Sequence, residues 1–208
     1  MFKKTIIALS LTFVSSAALS AAPVANLKVV GTIAPPTCSI QGQNEVDFEY
    51  VFTISPEMFP LSGNLTVDGK RNNIEVICDA ATYLTFSSTD NRADSALIVS
   101  NTNFGLGLFD TDKKIGNYII TMKNATVKAT PTDNALAVGI SNGATYNTLL
   151  NVDKTKKLGW ATSVSALKAG QVFAADFDVT PTLNAALKSS SGEAKLDGHA
   201  TLAFAFAL

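Results

Sequence analysis

The chain ends in His199-Ala-Thr-Leu-Ala-Phe-Ala-Phe-Ala-Leu208, ten residues without a single strand breaker. Side chains in a strand alternate between two faces. Leu202, Phe204, Phe206 and Leu208 therefore share one face, and Thr201, Ala203, Ala205 and Ala207 share the other. A strand this apolar is expected to be buried, and one side of it needs a backbone partner. Which strand supplies that partner is the question on which the function turns.

Working back from the terminus, the same two-residue period recurs. Residues 172–183 alternate through Phe173, Ala175, Phe177 and Val179. Val46-Asp-Phe-Glu-Tyr-Val-Phe52 alternates as well, with Val46, Phe48, Tyr50 and Phe52 on one side, until Pro56 and Pro60 break it. Residues 27–34 are expected as a first strand, ending at Pro35-Pro36. Residues 74–78 and 83–87 follow as strands. Residues 104–109 and 118–122 are expected as a hairpin around Asp110-Thr-Asp-Lys-Lys114. Residues 135–153 show only weak strands and an Asn142-Gly143 turn, and residues 158–162 carry Trp160. Beyond the N-terminus no stretch has helical periodicity. The class is all-β, a sandwich being the architecture these short runs suit best.

Hydrophobic residues make up 47% of the 208 and charged residues 16%, so the chain can fill a core. With 16 basic against 17 acidic side chains there is no electrostatic case for nucleic acid. Lys3 and Lys4, the apolar residues 5–14 and the small residues 15–22 read as a secretory signal, with cleavage after Ser20, Ala21 or Ala22. The apolar run is shorter than the ~20 residues a membrane span needs. Residues 1–21 are thus expected to be removed and 22–208 to form one exported domain without a membrane anchor. Cys38 and Cys78 are the only cysteines. In an exported chain an even count argues for a bridge, two buried thiols being the alternative.

Val29-Val-Gly-Thr-Ile-Ala-Pro-Pro-Thr-Cys38 places a glycine-containing apolar strand just before the first cysteine. That arrangement, the second cysteine forty residues on, Phe104-Gly-Leu-Gly-Leu-Phe-Asp110 and the alternating terminus resemble chaperone–usher pilins. Asn26-Leu-Lys-Val-Val-Gly-Thr-Ile-Ala-Pro-Pro-Thr-Cys38, Thr89-Asp-Asn-Arg92 and Lys114-Ile-Gly-Asn-Tyr118 are similar to a fimbrial-like branch, the domain family of unknown function numbered 1120. The likeness spans essentially the whole mature chain. It implies an immunoglobulin-like, pilin-type β-sandwich lacking its final strand. The resulting groove would be filled first by a periplasmic pilus chaperone and then by the N-terminal arm of the next fimbrial subunit. On that view Leu202, Phe204, Phe206 and Leu208 line the strand-exchange groove. Val24, Leu27 and Val29 form the donor arm. The protein would pass through the periplasm to a fimbrium or the cell surface.

Other chemistries have weaker support. His199 is the sole histidine and no nucleophile motif accompanies it, so no enzyme and no cofactor are expected. Asp110 and Asp112 lack the ligand-spaced glutamate of a calcium loop and suit a hairpin turn. Trp160 and Tyr146 could stack on a host or surface glycan, although a single aromatic in a strand usually serves the core. Asn64 and Asn124 match a glycosylation sequon that arises readily by chance in an Asn- and Thr-rich chain. Residues 21–28 extend only about 26 Å. That short arm keeps open an alternative, a self-contained periplasmic or secreted sandwich that binds a small ligand or glycan. N-terminal sequencing of the exported product should begin within two residues of Ala21; a product still starting at Met1 would remove the compartment argument.

Overall fold

The computed structural model describes residues 23–32, 34–190 and 194–206. The expected leader, Ile33, Ala207 and Leu208 lie outside them. The chain divides into two units, Met1–Ala34 and Pro35–Leu208. In the first, the described residues carry no strand, which corrects the expectation for residues 27–34. Val24, Leu27 and Val29 are 90%, 97% and 97% exposed. Apolar and β-branched residues prefer a strand because they pack on a pleated surface, and these side chains bury nothing.

The second unit contains β1 (Cys38–Ile40), β2 (Leu65–Thr66), β3 (Lys70–Thr82), β4 (Leu84–Asp90), β5 (Phe104–Gly105), β6 (Leu108–Phe109) and β7 (Lys113–Lys114). It continues with β8 (Gly116–Lys128), β9 (Leu136–Ala137), β10 (Gly139–Ser141), β11 (Tyr146–Asn147), β12 (Leu149–Asn151), β13 (Leu158–Ala161), β14 (Gly170–Leu183) and β15 (Ala200–Phe206). One antiparallel sheet has the order β1-β3-β14-β8-β12, with β2 added to β14 and both β5 and β9 added to β8. The other has the order β11-β10-β13-β4-β15. The hairpin foreseen around Asp110 is smaller than expected: β6 pairs with β7, while β5 joins β8. Its turn uses left-handed backbone at Asp110 and Thr111, and Lys113 pairs with the Asp110 carboxylate.

The sheets face each other across an aromatic core. Phe86 of β4 meets Phe177 of β14 edge-on with ring centroids 5.6 Å apart. Trp160 of β13 meets Phe173 of β14 at 5.6 Å, and its Nε1–H donates to the Ala174 carbonyl at 2.9 Å. All four rings are buried. Trp160 is therefore core and unavailable to a sugar.

The outer face of β14 is polar because the strand alternates. Asp178 accepts from Arg71 Nε at 2.8 Å and pairs with Lys123. Asp176 accepts from Asn73 and Asn124, each at 2.8 Å. Asn124 occupies left-handed backbone, a conformation Asn tolerates better than most residues, where the β8–β14 register slips.

One side of the sandwich is closed by covalent continuity. Thr148 alone separates β11, the edge of one sheet, from β12, the edge of the other. At the opposite side Cys38 lies directly across from Cys78 in the β1–β3 ladder and the two are bridged. The bridge closes a forty-residue loop. In the chain-entropy treatment such a loop stabilises the fold by about 4 kcal/mol. The variant with Cys38→Ser and Cys78→Ser should lose stability of that order in urea unfolding; a loss under about 1 kcal/mol would show that the bridge does not constrain the unfolded chain as supposed.

Candidate functional site: an apolar groove beside the terminal strand

β15 is an edge strand. It pairs with β4 from Ala200 opposite Asp90 to Phe206 opposite Leu84, and among the described residues no strand covers its other flank. Its apolar face is only half-buried at Leu202 and Phe204, and Phe206 is 37% exposed. This corrects the expectation of a buried terminal strand: the face points at the core, but the layer that would cover it is incomplete. Leu208, the last expected groove residue, lies outside the described residues.

Facing β15 is the segment of residues 44–54. Its inward positions Val46, Phe48, Tyr50, Phe52 and Ile54 are half-buried, and the residues between them are exposed. The alternation read from the sequence is therefore present, but the expected strand is not: this segment joins no ladder. Among the described residues no backbone N–H of residues 44–54 donates to a protein acceptor. Side chains hold the segment instead. The Tyr50 hydroxyl donates to the Phe177 carbonyl at 3.0 Å, Asn72 Nδ2 donates to the Glu49 carbonyl at 3.2 Å, and Lys70 sits 5.7 Å from the Phe52 ring centroid.

Between this segment and β15 runs a groove of about 880 Å³. Its floor is the core itself: Ile74 and Val76 of β3, Leu84 of β4, Tyr118 and Ile120 of β8, Phe177 and Val179 of β14. Leu202, Phe204 and Phe206 line one wall, with exposed His199 at its start. Val24, Leu27 and Val29 belong to the other unit, where they are exposed.

The start of β15 is held by polar contacts. The Asn91 N–H donates to the His199 carbonyl at 2.9 Å, and Asn91 Nδ2 donates to Thr201 Oγ1 at 2.9 Å. Arg92 makes an ion pair with Asp197 at 2.8 Å. The carboxylate of Asp90, whose side chain is 1% exposed, accepts from the backbone N–H of Arg92 at 2.9 Å and of Gly105 at 3.0 Å, and Lys154 Nζ stands 3.5 Å away. A side chain at Gly198 would place its Cβ 2.8 Å from the Tyr118 ring, so glycine lets the chain pass the groove floor. Strand β15 is thus fixed at its N-terminal end on the floor of the sandwich.

Sequence reasoning placed Leu202, Phe204 and Phe206 correctly on one face. It missed the opposite wall and the anchors Asp90, Asn91 and Gly198, which act through neighbours remote in sequence. A short hint was present: the alternation of residues 46–52 is bounded by Gly42 and Pro56 and is too isolated to specify its own partner. No family model, curated protein or solved structure matches the chain. Among the described residues no helix is long and apolar enough to cross a membrane. A disulfide of this kind suits an oxidising compartment.

Tyr50 reports on the groove. Burial pushes its phenol up to about 12, the Asn72 hydrogen bond offsets part of this, and the negative charge of Asp178 adds to it. The folded value exceeds the ~10 of an unfolded tyrosine. Its stabilising contribution is therefore complete below pH ~10 and is lost as pH rises through about 12. A Tyr50→Phe variant should lack a phenolate absorbance step near pH 12 that the parent shows; loss of a step near pH ~10 instead would place Tyr50 outside the wall.

Proposed function

We propose that the protein is a non-enzymatic, exported, fimbrial-like structural subunit whose groove accepts a β-strand from another molecule. The observation that carries this reading is the groove itself, an apolar slot flanked on both sides by chain with unmet backbone hydrogen-bonding capacity. A strand entering it gains main-chain hydrogen bonds along β15, and every second side chain enters the apolar floor; this is the physics of strand addition. Period-two alternation then sets register, since a slip of one residue would turn the apolar set outward. An open edge of this kind is also an aggregation hazard, which a covering partner removes.

The sequence likeness to pilins supplies the occupants. A periplasmic chaperone strand would cover the groove first, and the arm of a second subunit would replace it. The immunoglobulin-like description follows from the same reading, in which the two sheets lack one strand beside β15. The exposed Leu27 and Val29 suit an arm that donates itself elsewhere, because a buried arm would have to be extracted first.

The test is co-expression with a pilus chaperone followed by electrophoresis of unheated samples. The unaltered chain should co-purify with the chaperone and form a multimer ladder. Leu27→Asp with Val29→Asp should leave chaperone capture intact while reducing multimers at least tenfold, the effect of ~1.4 kcal/mol or more per junction. A monomer that refolds reversibly without chaperone and never forms multimers would sink the proposal.

A further inference from the structure

The wall opposite β15 is built without ladder pairing. β1 is locked to β3 by the Cys38–Cys78 bridge and by ladder pairing through Ile40 opposite Val76. The chain then turns at Gln41 and Gly42, both in left-handed backbone (φ 49° and 82°), a turn closed by the Ile40 N–H donating to the Gln43 carbonyl at 2.7 Å. From there residues 44–54 run free of any ladder until the 3-10 turn Pro56–Met58, after which Phe59 is buried. The wall is a strap fastened at both ends and held in the middle by side chains alone.

Its direction matches the opposite wall. Past the turn that sets Gln43 beside Ile40, residues 44–54 run toward the Lys70 end of β3: the Glu49 carbonyl accepts from Asn72 and Lys70 lies over Phe52. Only Tyr83 separates the end of β3 from the start of β4, so Leu84 lies at the Thr82 end of the sandwich. β15 runs from Asp90 toward Leu84. The strap and β15 are therefore antiparallel, and both alternate apolar residues toward the same core. Two such segments can form an antiparallel ladder directly.

The geometry points to a self-closing wall: residues 44–54 exchange between the open position seen here and a closed one in which they cross the groove and pair with β15, and a donated strand binds by excluding the closed position. This rests on the reading of the groove as a strand acceptor and adds its regulation. Closure costs little chain length. A sideways shift of one strand spacing, about 5 Å, over a segment about 36 Å long lengthens its path by only about 1–2 Å. In return it satisfies backbone groups on both walls and covers Leu202 and Phe204. A latent subunit would then stay soluble until a donor competes successfully, and donor affinity would be reduced by the fraction of time the wall is closed.

The two states differ in one measurable separation. Across a ladder, opposed Cα atoms lie about 4.5–5.5 Å apart, within disulfide reach. With a strand inserted between them they lie about 9.5 Å apart, beyond it. Glu49, Thr201, Ala203 and Ala205 are exposed, so cysteines there leave the core intact. We expect at least one of three double variants, Glu49→Cys with Thr201→Cys, Ala203→Cys or Ala205→Cys, to form a second disulfide in the purified free protein. Retention of the Cys38–Cys78 bridge, mapped by mass spectrometry, certifies folding. Prior incubation with a synthetic peptide of residues 22–34 should slow that cross-link at least tenfold. Peptide binding, shown by native mass spectrometry, with no cross-link in any free variant would overturn the self-closing wall and leave the strand-acceptor reading intact. A cross-link in a variant to which no peptide binds would support closure and count against strand acceptance.

Discussion

The structure depends on a shortage of backbone hydrogen bonds at one side of the sandwich. Buried main-chain N–H and C=O groups must find partners, and a sheet edge is where that requirement is hardest to meet. At the β11–β12 side Thr148 alone links the edge strand of one sheet to that of the other. Among the described residues no such link spans the β15 side. β15 ends the sheet with one flank unladdered, and residues 44–54 pass beside the slot without pairing.

The surrounding architecture keeps that side open without loosening the rest. The Cys38–Cys78 bridge pins the last laddered residues before the strap to β3. Asn91, Arg92 and Gly198 fix the start of β15, and the buried Asp90 carboxylate ties the end of β4 to β5. Beneath the groove floor of Ile74, Val76, Leu84 and Phe177 lies the buried aromatic core of Phe86, Trp160 and Phe173. A buried floor beside an unladdered wall is the combination on which the proposed strand exchange rests. The floor presents fixed apolar positions, and the wall has the freedom to make new main-chain bonds.

Much of this was legible in the chain. The terminal alternation, the inward set Phe173, Ala175, Phe177 and Val179, and the cysteine pair are local or two-body statements, and local pattern carries them. The strand expected at residues 27–34 failed because apolar, β-branched composition prefers a strand only where a surface exists to pack on. The strand expected at residues 46–52 failed differently: its alternation is real, yet alternation records which side faces the core and says nothing about ladder partners. Residues 135–153, the least readable stretch, form β9 to β12 because they trim the edge of β8 and cross between sheets. Short edge pieces of that kind have too few residues to show a period.

The sequence by itself determined the all-β class and the face that the terminal strand turns inward, and it limited the two cysteines to one possible bridge, which the structure contains. These follow from side-chain periodicity and from the only pairing that two cysteines allow. Only the tertiary structure decided that β15 lies at an edge, that residues 44–54 stand opposite it, and that an apolar slot separates them. Edge position is a property of strand order, which is set by contacts between residues more than a hundred positions apart, and no local pattern encodes it.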